Sequence, residues 1–131
     1  MLHPKNYHVN ETWIVFKLND APISTEEDGD FNCLVLMDAA SCFIVSSAMI
    51  PASETGPSQL ESKRMLKQGK AHKNGLPKEL IIPNEQHADF LASEAKRLSI
   101  TIVRLPESQL QVYTKEAREA FRDNFGGART Q

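Results

Sequence analysis

The sequence predicts an α/β domain: a five-stranded mixed sheet in the order β-β-β-α-β-α-β-α, with helices on both faces. Three observations carry the prediction. The longest apolar block, Cys33 to Ile50, is broken once by Asp38-Ala39-Ala40-Ser41, and its β-branched and aromatic halves read as an antiparallel hairpin at the centre of the sheet. Within it, Leu34-Val35-Leu36-Met37 is apolar without alternation, so both faces of that strand need cover. Beyond it, helical and strand-length segments alternate, and right-handed crossovers make such strands parallel.

The segments before the hairpin are simple. Residues 1–11 are polar, carry Pro4, and are expected to form a flexible N-terminus. A first strand, aromatic and β-branched, runs from Thr12 to Leu18 and ends at Asn19-Asp20-Ala21-Pro22. Ser24 to Asp30 gathers acidic residues around Gly29, but its spacing does not match the calcium loop D-x-[DN]-x-[DN]-G, so a solvated turn is expected.

After the hairpin, Ser58 with Glu61 three residues on marks the start of a helix that fades near Gly69. Lys63, Arg64, Lys67, Lys70 and Lys73 form a basic run along it. They are candidate nucleic-acid contacts, but with Glu61 among them and no interleaved aromatics they read first as a solvated face. Lys78 to Ile82 is a strand stopped by Pro83. Asn84 is placed to cap a helix over Glu85–Leu98, where Ala88, Leu91, Ala95 and Leu98 recur at helical spacing. Ser99 to Val103 is a further strand, broken by Pro106. The last helix starts near Gln109 or Thr114 and runs to Phe125 with Tyr113, Ala117, Ala120 and Phe121 as its stripe, ending at Gly126-Gly127. The expected domain therefore spans 12–126, with 127–131 as a tail.

Composition excludes little. With 131 residues, 40% hydrophobic and 24% charged, the chain suits one domain with a real core. A net charge of −2 and a pI near 6.1 give no global attraction to nucleic acid or to an anionic membrane. No apolar run is long enough to span a bilayer, and the opening lacks the basic start and apolar centre of a signal peptide, so a cytoplasmic location is expected. Cys33 and Cys42 read as reduced core residues on strands, and the four histidines show no ligand spacing with them. No G-x-S-x-G serine context and no glycine-rich phosphate loop is present.

The ordered landmarks resemble the catalytic core of retroviral integrases and related transposases, within the ribonuclease H-like superfamily. They are Trp13 opening the first strand, Leu34 to Ser41 and Ile50 to Gly56 in the hairpin region, Leu80-Ile81-Ile82-Pro83-Asn84 closing the fourth strand, and Leu105-Pro106 leading into a helix with Glu116. The resemblance covers roughly Trp13 to Phe125. It implies two magnesium ions held between three carboxylates, about 4 Å apart, activating the attacking oxygen and stabilising the leaving one. Carried over by position, those carboxylates fall on Phe16, Asn84 and Glu116. Phenylalanine has no ligand atom and asparagine offers one neutral oxygen, so the resemblance implies a degenerate site and a non-catalytic domain with a binding or assembly role. The alternative is a divergent Mg²⁺- or Mn²⁺-dependent nuclease or strand transferase that rebuilds its site from Asp20, Asp38 and Glu116. Asp38 itself reads as a carboxylate satisfied by amides of the Ala39–Ser41 turn. The resemblance also implies a homodimer, with Tyr113 and Phe125 as candidate apolar contacts.

Overall fold

A computed structural model describes residues 10–19, 22–24 and 29–123. Its elements are β1 (Thr12–Lys17), β2 (Ile23–Ser24), β3 (Asp30–Asp38), β4 (Ile44–Pro51), α1 (Gln59–Lys73), β5 (Glu79–Pro83), α2 (Asp89–Arg97), β6 (Thr101–Leu105), a 3₁₀ turn (Glu107–Leu110) and α3 (Gln111–Phe121). They form a mixed sheet in which β1 is central: it pairs antiparallel with β3, Trp13 opposite Asp38 and Lys17 opposite Leu34, and parallel with β5, Ile14 beside Ile81. β6 continues the parallel half beside β5, and β4 closes the other edge beyond β3.

The predicted architecture holds, with two differences in the sheet. The two-residue strand β2 adds a sixth member, pairing with the start of β3 at Asp30 and Phe31. The hairpin does not sit at the centre. Only β3 is covered on both faces, whereas β4 lies at an edge with Ile44 and Met49 exposed.

Alternation along β1 explains why it is central. Trp13 and Val15 point to one face, where they join Leu34 and Leu36 of β3, Leu80 and Ile82 of β5, and helices α1 and α2 through Met65, Leu66, Leu91 and Ala95. Ile14 and Phe16 point to the other, joining Val35, Met37 and Ile81 under Leu110 and Tyr113. Every one of these side chains is almost wholly withdrawn from water, which at roughly 25 cal/mol per Å² is the main stabilising term.

Helix boundaries also depart from expectation. Ser58 caps α1 as predicted, its Oγ accepting the Glu61 N–H at 3.1 Å, but the helix continues past Gly69 to Lys73 and ends on Asn74, whose φ of 62° is a left-handed cap. Gly69 is a point of close approach: a Cβ there would lie 2.7 Å from the Trp13 ring. α2 begins at Asp89 instead of Glu85, with no side-chain cap. Asn84 is not the cap; it is exposed in a turn, and its N–H donates to the Leu105 carbonyl at 2.8 Å. Arg104 reaches from β6 to the Pro83 and Gln86 carbonyls, holding residues 84–88 as a loop. Cys42 lies in the β3–β4 turn with φ 59°, and not on a strand.

Candidate functional site

The carboxyl ends of β1 and β5 open into a cleft of about 330 Å³, the place where open α/β sheets accept ligands. Phe16 and Lys17 end β1 at its floor, with Pro83 beside them from β5. The β4–α1 loop and the 85–87 loop form one wall. These two loops press together at Gly56, where a Cβ would stand 2.2 Å from the His87 carbonyl oxygen, so only glycine fits. A second wall, joined to the 85–87 loop through Glu85, comes from Glu107 at the 3₁₀ turn and Arg118 on α3.

Arg118 organises that wall. Its guanidinium lies over the Phe16 ring, 5.4 Å from the centroid, its Nε donates to the Lys17 carbonyl at 3.0 Å, and its Nη2 pairs with Glu107. The Glu107 N–H in turn donates to Glu85 Oε1 at 3.0 Å, which ties the ends of β5 and β6 together. Phe16 itself is 1% exposed. Where the integrase resemblance implies a carboxylate, the sheet therefore presents an aromatic face with a fixed cation on it.

The other sequence candidates are dispersed. Glu116 is exposed and is not among the residues lining the cleft; its charge acts instead on Cys42, in the β3–β4 turn. Asp38 is fully buried opposite Trp13, at the far end of β1 from the cleft. Its Oδ1 accepts the Asn10 N–H at 2.9 Å, its Oδ2 accepts the Ser41 hydroxyl at 2.6 Å and the Ser41 N–H at 3.2 Å, and Lys73 Nζ stands 3.9 Å away. This is the turn-satisfied carboxylate that the sequence suggested. Asp20 and residues 25–28 of the acidic segment lie outside the described residues, as do residues 1–9 and 124–131 with Phe125. Among the described residues, no three His, Cys, Asp or Glu side chains gather as a metal-ligand group.

The basic run separates into parts. Lys63, Lys67 and Lys70 lie exposed along α1, while Arg64 is paired with Glu61 at 2.6 Å and Lys73 is drawn to Asp38 and over the Phe43 ring. Tyr113 is 1% exposed and packs under the sheet, so it belongs to the core and not to a contact surface. Both cysteines are free, and burial pushes both thiols up in pKa; for Cys42 the charges of Glu116 and Asp38 add to that effect.

Sequence reasoning missed Glu107 and Arg118. The signal available for Glu107 was positional, since residues immediately after parallel strands line the crevice and Glu107 follows β6 by two positions. Arg118 had no such signal, because its reach to Lys17 spans 101 positions of sequence.

No protein-family profile matches the sequence, and no curated protein matches it either. Solved structures do. The HTLV-2 integrase catalytic core domain in complex with magnesium superposes with a TM-score of 0.52 and 12% identity in its dimeric form, covering 73% of this chain and 61% of that one. The trimeric form gives the same score and identity over 60% of its length. The simian T-cell lymphotropic virus intasome, in complex with PP2A regulatory subunit B56 gamma, gives a TM-score of 0.59 at 14% identity, covering 88% of this chain and 39% of that one. The chain thus spans less than two thirds of each of these proteins. The likeness establishes the fold as ribonuclease H-like, of the integrase-core kind. Among the described residues, no helix is long and apolar enough to cross a membrane.

Proposed function

We propose that this chain, with the ribonuclease H-like fold of integrase catalytic cores, is a non-catalytic member of that architecture that serves in binding or assembly. The observation that carries this reading is the Arg118 guanidinium seated on Phe16 and held by Glu107 and the Lys17 carbonyl. The donor set does not fit a divalent ion. Hard cations need several anionic oxygens, and here the position on β1 offers a hydrocarbon ring while the nearest formal charge above it is positive. Glu107, the carboxylate nearest that cation, is already engaged by it, and Glu85 accepts an amide. The displaced acidic set gains no support either, because both Asp38 oxygens accept hydrogen bonds at the opposite end of β1 and Glu116 lies apart from the cleft.

The dimeric and trimeric forms of the HTLV-2 core favour a homo-oligomer for this chain as well. The test of the non-catalytic reading is direct: purified protein, incubated with DNA and millimolar Mn²⁺, neither nicks nor joins strands, and Mn²⁺ leaves the NMR signals of Phe16, Asn84 and Glu116 unbroadened. Metal-dependent cleavage that Asp38→Asn or Glu116→Gln abolishes would replace this reading with the enzymatic one.

A further inference from the structure

The cleft contains hydrogen-bond donors that the protein itself does not use. Lys17, Asn32, Thr55 and His87 all line it, and among the described residues neither the Lys17 ammonium, the Thr55 hydroxyl nor the His87 ring makes a hydrogen bond or ion pair. For Asn32 the orientation follows from its neighbour. Asn19 Oδ1 accepts the Cys33 N–H at 2.7 Å, so Asn19 must offer its amide NH₂ to Asn32 Oδ1, which it does at 3.0 Å; the Asn32 NH₂ group is then left for the cleft. Arg118 adds to the set. Its guanidinium carries five N–H bonds, of which one goes to the Lys17 carbonyl and one to Glu107.

Acceptors are in the opposite condition. Glu107 is held by Arg118, and Glu85 by the Glu107 N–H. A donor-rich pocket with its carboxylates engaged is complementary to oxygen acceptors, and an anionic acceptor gains most because charge-assisted hydrogen bonds are the strong ones. We infer that the cleft binds the oxyanion head of a small molecule, a carboxylate or a phosphate, directly on Lys17, Asn32, Thr55, His87 and Arg118 and without a metal ion. A volume of about 330 Å³ sets the size: a head group and a few further atoms, at the small end of ligand pockets. This inference rests on the non-catalytic reading above, since a resident divalent ion would need the cleft carboxylates as its ligands.

Titration of the whole chain with inorganic phosphate and, separately, with malonate, followed by amide NMR in the presence of EDTA, tests it. The expected result is saturable shifts at Lys17, Asn32, Thr55 and His87 with at least one of the two anions. The better of the two identifies the head group as phosphate or carboxylate. Lys17→Met should weaken the binding by roughly tenfold or more, the loss of one charge-assisted contact, with an unchanged melting temperature because Lys17 holds nothing else in place. Absence of shifts with both anions, or Lys17→Met binding as tightly as the parent, would overturn the inference while leaving the non-catalytic reading intact. Shifts that appear only after Mg²⁺ is added would overturn both. Shifts with a short DNA duplex and with neither small anion would mean that the surface reads a polymer backbone, and the inference would be wrong.

Discussion

The Arg118 guanidinium lies 5.4 Å from the centroid of the Phe16 ring, joining α3 to the end of the central strand. It is one-fifth exposed, so its contacts are partly screened, and its pair with the more exposed Glu107 adds little by itself. The stacked ring and the hydrogen bond to the Lys17 carbonyl together should contribute about 1–2 kcal/mol. Arg118→Ala is expected to lower stability by that amount in urea unfolding. Arg118→Lys should recover little of it, because an ammonium cannot reach ring, carbonyl and carboxylate at once.

Asp38 has a structural duty at the other end of β1. It is fully buried and binds Asn10 and Ser41, and Asn10 in turn accepts the Trp13 indole N–H at 2.7 Å. Asp38→Ala leaves the part-buried Asn10 and Ser41 amides without their acceptor and Lys73 without its anion, so it should cost about 1–3 kcal/mol. Chemical denaturation measures this. A loss below half a kcal/mol, on the scale of a surface change, would show that the turn does not depend on the carboxylate.

Gly69 is the position where helix propensity gives the wrong sign. Alanine is favoured over glycine by about 1 kcal/mol inside a helix, yet a Cβ here meets the Trp13 ring at 2.7 and 2.8 Å. That ring is fully buried and pinned through Asn10, so it cannot step aside. Gly69→Ala should therefore destabilise, by roughly 1–2 kcal/mol net, since overpacking costs 1–3. The shift in melting temperature gives the sign directly.

The alternating strands and the two-sided core were legible because burial writes itself into sequence: β1 through Trp13, Ile14, Val15 and Phe16, and β3 through Leu34 to Met37, are apolar at every position. Ser58 was legible because a cap is local. What was not legible depended on contacts distant in sequence. Gly69 resembled a helix end because its packing against Trp13 is invisible locally, and Asn84 resembled a cap although Arg104 and Leu105 hold its segment as a loop. The placement of β4 at the edge follows from pairing, which composition does not specify. At the site, the sequence marked Phe16 only as the position where the resemblance implies a carboxylate, and the guanidinium over its ring comes from Arg118, whose partner on β1 lies 101 positions away and leaves no local signal.

Glu116 can be located by chemistry without a structure. Burial first, and then the charges of Glu116 and Asp38, hold the Cys42 thiol above its ordinary pKa. Removing one negative charge favours the thiolate, so Glu116→Gln should shift the pH profile of Cys42 alkylation to lower pH and speed the reaction at neutral pH. Glu119→Gln should leave it unchanged. An unaltered Cys42 profile in Glu116→Gln would show that the Glu116 charge does not act on the thiol in the β3–β4 turn.

The most direct measurement of whether this domain has given up metal chemistry is its thermal unfolding with and without millimolar Mg²⁺ or Mn²⁺, compared with EDTA. On the non-catalytic reading the guanidinium on Phe16 stands in place of an anionic cradle, so the protein should be fully folded in EDTA and its melting temperature should be the same in all three conditions. An ion bound at 100 times its dissociation constant would add about 2.7 kcal/mol to the native state. A rise of several degrees on adding either metal, lost again in Glu107→Gln, would contradict the reading and mean that the cleft still holds an ion.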